Sequence, residues 1–218
     1  MPSQITPVEA RILGALVEKQ LTTPEYYPLT LNALVNACNQ KNNRDPVMEL
    51  LESEVSTSIE RLRDRNLVYV FYGSTSRVPK YKHMLPTYYE LEPAEVAVMA
   101  VLMLRGPQTL GELRERTSRM QEFSGLDEVQ QTLNSLTTRE DPLVTRLDRL
   151  PGQKDARFAH LLNGPIDTEA LAAAYPTRAQ ATESTNDRVT RLESEVTRLT
   201  TELTDLRSTF AEFRKQFD

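Results

Sequence analysis

"SEVSTSIERLRDRNLVYVFYGSTSRVPKYK", residues 53–82, changes its period half-way along. Val55, Ile59 and Leu62 recur at four-then-three spacing, which marks a helix with one apolar stripe. From Leu67 to Tyr72 every residue is aliphatic or aromatic and most are β-branched or aromatic, the composition of a strand. Gly73-Ser74-Thr75-Ser76 reads as a turn. Arg77 to Lys82 reads as the returning strand, with Pro79 placing it at a sheet edge. A helix that runs into a β-hairpin is the second half of a winged helix, in which the third helix and the hairpin are the parts that face DNA.

The residues upstream supply the first half. Thr6, Pro7 and Glu9 form a capping box with proline at the first helical position. Ile12, Leu13, Leu16 and Val17 continue as one apolar stripe, and the helix is expected to fade near Gln20, ahead of Thr22-Thr23-Pro24. Leu31, Leu34, Val35 and Cys38 mark a second helix. The same order then returns. Pro93 opens a helix carrying Val96, Met99, Ala100 and Leu104, and Gly106-Pro107 ends it. Thr109 and Glu112 make another capping box, followed by Leu110 and Leu113. Val129, Leu133 and Leu136 repeat the four-then-three spacing. Leu143 to Leu147, Pro151-Gly152 and Arg157 to Leu161 repeat strand, turn and strand. Two stretches that independently specify one pattern support it more strongly than either alone. The expected fold class is mainly α with small β-hairpins (α+β): two tandem winged-helix domains, residues 1–88 and 89–163, a linker at 164–187 with a short helix at Thr168 to Ala174, and a coiled-coil helix at 188–218.

The last segment is a heptad seam. Val189, Leu192, Val196, Leu199, Leu203, Leu206, Phe210, Phe213 and Phe217 alternate spacings of three and four. At ~1.5 Å per residue the seam is roughly 40 Å long. In a parallel pair Arg188 would face Glu193, and Glu202 would face Arg207. Exposed pairs of this kind add only about 0–1 kcal/mol, so burial of the stripe is the main drive. A homodimer through this helix is expected, with folding back onto the body as the alternative.

Bulk properties narrow the function. The chain has 218 residues, a formal net charge of -5 and a pI of about 5.3. That excludes a basic nucleic-acid coat but not a local basic patch, because binding follows the local field. The single cysteine, Cys38, lies on an apolar helix face and reads as a buried thiol. The N-terminus lacks the basic and apolar regions of a signal peptide, and no run of about 18 apolar residues exists. A cytoplasmic protein without membrane contact is expected. The two histidines, His83 and His160, offer no zinc spacing. No Gly-rich phosphate loop, serine elbow or His-Glu metal motif is present. No metal, cofactor or catalytic role is therefore expected.

Candidate nucleic-acid contacts fall on three surfaces. Between Arg61 and Lys82 the cations Arg61, Arg63, Arg65, Arg77, Lys80 and Lys82 stand against the one acid Asp64, with Tyr69, Tyr72 and Tyr81 interleaved. The exposed side of the preceding helix, with Ser53, Thr57, Glu60, Arg61 and Asp64, carries two acids that would repel phosphate. In the second repeat the matching positions are Asp127, Gln131, Asn134, Ser135 and Thr138. Gln131 and Asn134 suit adenine edges, yet that helix has little positive charge. The third surface is the amide-rich run 39–46. Asn39 suits a left-handed helix cap, Asn42, Asn43 and Asp45 suit Asx turns, and Pro46 favours an extended Asp45. On this reading the run stops a helix. On the other, Gln40, Lys41, Asn43 and Arg44 are donors for phosphate or for a partner's backbone. Val47, Met48, Leu50 and Leu51 call for cover by the body.

"EARILGALVEKQLTTPEYYPLTLNALVNACNQKNNRDPVMEL", residues 9–50, closely resembles the signature region of the uncharacterised bacterial YceH-like family. Thr22 to Pro46 is its most specific part, and Asn42 stands where that family is associated with serine. The resemblance weakens through the second repeat and excludes the heptad tail. It implies a tandem winged-helix fold and no particular activity. Two functions remain open: a DNA-binding, transcriptional-regulator-like protein, favoured by the basic hairpin, and a protein-interaction adaptor, favoured by the acidic total and by Glu60 and Asp64.

Overall fold

A computed structural model describes residues 4–72, 78–149, 155–166 and 195–204. The chain divides into two compact units, residues 1–149 with 154–167, and residues 150–153 with 168–218. The architecture is mixed α+β, with helices dominating and two small antiparallel sheets.

Helix α1 (Pro7–Thr22) begins as its sequence dictates. The Thr6 hydroxyl accepts from the Glu9 amide, and the Glu9 carboxylate accepts from the Thr6 amide at 2.8 Å. It runs two residues past Gln20, where Thr22 and Thr23 hydroxyls bond the carbonyls of Glu18 and Lys19. Strand β1 (Leu29–Thr30), α2 (Leu31–Cys38) and α3 (Glu52–Asp64) follow, and then the hairpin β2 (Val68–Tyr72) and β3 (Pro79–His83). The sheet order is β1-β3-β2, so β2 is an edge.

After the short α4 (Leu85–Tyr89) come α5 (Pro93–Arg105), α6 (Leu110–Thr117), α7 (Leu126–Thr137), β4 (Val144–Arg146) and β5 (Phe158–His160). Gln108, just before α6, bridges Phe158 as β1 bridges β3. The repeat extends to register: Val68 pairs with His83, and Val144 with His160. Val55, Ile59 and Leu62 of α3 are buried, as are Val129, Leu133 and Leu136 of α7.

Both repeats lie in the first unit, and one continuous core runs through them. Two helices join it. All residues from Val96 to Leu104 of α5 are buried, as expected for a helix that is apolar all round. α1 is buried on more than its apolar stripe, because α5 packs along its second side. The approach is close: a Cβ on Gly14 would lie 2.9 Å from the Leu104 Cγ and 3.2 Å from the Met103 Cβ.

The run 39–46 is built into this junction. Asn39 is not left-handed (φ -91°). Its amide instead exchanges two 2.8 Å bonds with the Leu50 backbone, closing the loop like a strand pair. Asn43 takes the left-handed conformation (φ 62°), which a short polar side chain tolerates. The Asp45 amide donates to the Leu104 carbonyl of α5 at 2.9 Å. Val47 and Leu51, expected to be covered, are 52% and 66% exposed. Met48 and Leu50 are half-buried, and Leu50 packs against the core, so the expected cover is met in part.

In the second unit residues 195–204 are helical. Val196, Leu199 and Leu203 share one side of it and are exposed. Glu202, read as a partner of Arg207, bonds Arg198 within the helix at 2.7 Å. Val189, Leu192, Leu206, Phe210, Phe213 and Phe217 lie outside the described residues, as do the 73–76 turn, Arg77, and the short helix expected at 168–174.

Candidate nucleic-acid interface

The β2–β3 hairpin sorts its side chains by the two-residue period of a strand. Val68, Val70, Tyr81 and His83 turn toward the body. Tyr69, Phe71, Lys80 and Lys82 share the outer face, in the pairs Tyr69–Lys82 and Phe71–Lys80. Tyr69 and Phe71 are 54% and 44% exposed, and the Lys82 ammonium lies 5.3 Å from the Tyr69 ring centroid. An ammonium at that distance from a ring is held by the π-face while it remains available to an anion. No acid stands on either strand. The face therefore combines two cations with two flat apolar rings.

The flanking helix contributes less than its composition suggests. Arg61 and Arg63 are exposed, but Arg63 lies 3.4 Å from Asp64. Arg61 sits with Ser53, Thr57, Thr6 and Val8 around a shallow cavity of about 380 Å³ beside the start of α1. Glu60 and Arg63 instead approach Tyr81, whose hydroxyl is held above its ordinary range by burial first, and then by Tyr72 and Glu60. Arg65 is half-buried: it donates to the Gln4 carbonyl at 2.9 Å and lies 3.8 Å from Glu9.

Arg44, expected as a phosphate contact, is sealed inside the body. Its side chain is fully buried, 2.6 Å from Glu18, and it donates to the Ala37 carbonyl at 2.8 Å and the Asn43 carbonyl at 2.9 Å. A guanidinium with these bonds is not available to phosphate. Lys41, three residues earlier, is exposed. A second buried cation, Arg11 of α1, gives no signal in the sequence because it merely interrupts an apolar stripe. It donates to the carbonyls of Cys38 at 3.1 Å and Pro46 at 2.6 Å, clamping both ends of the loop. Cys38 beneath it has its thiol pushed up to about 12 by burial, against the opposing pull of Arg44 and Arg11.

In the second repeat Gln131 and Asn134 of α7 are exposed, and the Asn134 Oδ1 accepts from Gln130 at 2.8 Å. The positive charge missing from that helix comes from the neighbouring hairpin. Arg146 and Arg149 line a cavity of about 350 Å³ together with Gln130 and the start of α6. Only folding brings these arginines to Gln130, so the helix sequence carried no sign of them. The hairpin's own segment, with Arg146 and Arg149 three residues apart, could have signalled a basic flank.

His83 and His160 occupy matched places at the ends of the two return strands. No ring nitrogen of His83, and not the Nδ1 of His160, has a hydrogen-bond partner. Burial pushes each imidazole down to about 4, with Lys82 adding to the effect at His83. Both are neutral structural groups at physiological pH. Among the described residues no group of three or more His, Cys, Asp or Glu could hold a metal ion, and no helix is long and apolar enough to cross a membrane.

A family profile described as "Protein of unknown function, DUF480" matches residues 5–153, which cover the first repeat and the second as far as its first strand. The chain belongs to the DUF480 family. It is 50% identical to a UPF0502 protein of Geobacter sulfurreducens over 216 residues, 98% of each chain. It is 51% identical to a UPF0502 protein of Geotalea daltonii over 219 residues, covering both chains in full. A UPF0502 protein of Serratia proteamaculans is 46% identical over 200 residues, 89% of this chain and 92% of that one. The YceH-like resemblance of residues 9–50 agrees with this membership.

Proposed function

We propose that this member of the DUF480 family is a DNA-binding, regulator-like protein with a binding rather than a catalytic role, in which each helical repeat acts as a winged helix. The outer face of the β2–β3 hairpin carries the proposal: Lys80 and Lys82 stand opposite Phe71 and Tyr69 with no acid on either strand. A hairpin of this composition can lie along a phosphate backbone, its lysines neutralising charge and its rings filling a groove wall. In the second repeat Gln131 and Asn134 would reach base edges, with Arg146 and Arg149 on phosphates. The exposed stripe of Val196, Leu199 and Leu203 supports pairing of two chains through the heptad helix.

Fluorescence anisotropy with a pool of duplex fragments tests this. Binding should weaken steeply with salt. Lys80→Ala with Lys82→Ala should reduce the slope of log K against log salt by about 1.8, for two phosphates at ~0.9 each. Absence of binding at low salt, or an unchanged slope in the double variant, would refute it. A protein-docking role draws on one observation of its own, the exposed apolar tip of Tyr72 and Val78 on the same hairpin. Under that reading Tyr72→Ala abolishes capture of a protein, and DNA binding is absent throughout.

A further inference from the structure

A second site lies at the junction of the two repeats, where α1, the 39–46 loop, α5 and α6 meet. They enclose a half-open cavity of about 330 Å³ whose wall includes Arg105, Arg116 and Arg119. Arg105 closes α5, and Arg116 stands in the last turn of α6. One arginine at each helix C-terminus is ordinary complementarity to the helix dipole. Three guanidiniums around one cavity are not, unless carboxylates neutralise them.

The carboxylates nearby are mostly committed elsewhere. Glu18 is held by the buried Arg44 at 2.6 Å. Glu112 is bonded to Arg157 at 2.8 Å and is shared with Arg116 at 3.5 Å, and Arg116 also donates to the Gln108 side-chain oxygen. Glu115 is the remaining acid of the lining. Against this, Arg105 has only the neutral Asn43 amide as a hydrogen-bond partner, and Arg119 has no partner among the described residues. Burial, and then repulsion from Arg116, makes the Arg105 cation less favourable than a free one, against the attraction of Glu18 and Asp45. Val101, Leu104 and Met120 supply an apolar patch, and Thr22 and Ser118 supply hydroxyls. The positive-φ Asn43 turns its Oδ1 to Arg105 and so aims that guanidinium.

We propose that this cavity binds a small organic anion, with a phosphate or carboxylate head on Arg105, Arg116 and Arg119 and a compact apolar body against Val101, Leu104 and Met120. Its volume falls at the lower end of small-molecule sites. Because the wall is drawn from both repeats, such a ligand would tie them together and add to the stability of their junction.

Isothermal titration of the full chain, in chloride buffer of matched ionic strength, tests the site with phenyl phosphate, inorganic phosphate and benzoate as probes. One saturable event per chain is expected, tighter for phenyl phosphate than for inorganic phosphate. Arg105→Gln and Arg119→Gln should each weaken it about tenfold, the effect of one lost charge-assisted bond. Arg119 is exposed and holds nothing in place, so its variant should melt with the wild type and folding is not at issue. Binding of the phosphates without benzoate assigns a phosphate head, and binding of benzoate a carboxylate head. Either supports the site. No saturable event with any probe up to about 10 mM, a far weaker affinity than a built site gives, overturns it. So does binding that survives Arg119→Gln, or that is lost equally on Lys80→Ala with Lys82→Ala.

Discussion

Lowering the pH from 7.5 to 5 should destabilise the first unit through His83 and His160. Both imidazoles have folded-state values of about 4, against an ordinary 6.5. A neutral buried imidazole must lose its environment to take up a proton, so the unfolded chain binds protons first as the pH falls. The stability these groups allow is complete above pH 6.5 and is lost progressively between 6.5 and 4. At pH 5 the unfolded side chain is almost fully protonated and the folded one almost neutral. The loss is then about 2 kcal/mol for each histidine, or about 4 kcal/mol together. Burial pushes Glu112 up, but the Thr109 backbone bond, Arg157 and Arg116 together hold it below its ordinary range. Urea unfolding followed by circular dichroism at the two pH values reads the effect directly. With a slope of ~2 kcal/mol per molar, the midpoint should fall by about 2 M. His83→Leu and His160→Leu should each remove about half of the pH dependence, since the rings have so few polar contacts to lose. A midpoint that moves by less than about 0.3 M, well under the effect of even one histidine, would show that the histidines are not buried as described.

Other expectations follow from the same packing. Arg44→Ala leaves Glu18 and the Ala37 carbonyl without their partner and should cost about 3 kcal/mol, whereas Lys41→Ala, on the exposed side of the same loop, should change stability by no more than about 0.5 kcal/mol; thermal melts of the two variants check this. Gly14→Leu forces a side chain into the α1–α5 contact and should cost about 2–3 kcal/mol, while Gly111→Leu, at a position open to solvent, should not approach that figure in the same melt. A chain ending at Pro176 should run as a single chain by light scattering, at about two-fifths of the full-length dimer's mass, and a truncated particle that still holds two chains would exclude pairing through the heptad helix.

Local order is legible in the amino-acid sequence alone. The two capping boxes, the four-then-three stripes of α3 and α7, and the β-rich run after Leu67 all act within a few residues, so spacing and side-chain chemistry specify them. The outer pairing of Tyr69 with Lys82 also follows once the turn is placed, because a strand alternates its faces. Tertiary structure decided the rest. Nothing in "NACNQKNNRDP" distinguishes a phosphate-seeking Arg44 from one sealed against Glu18, since the two residues are far apart in sequence and meet only when α1 and α2 pack. Arg11 is a blemish in an apolar stripe until two carbonyls are brought to it. Arg146 comes to line one cavity with Gln130, and Arg105 bonds Asn43, through tertiary packing that no local period encodes. The union of the two repeats rests on the same cause: one face of α1 is visibly apolar in the sequence, but its second buried face exists only because α5 needs somewhere to place a surface that is hydrophobic all round.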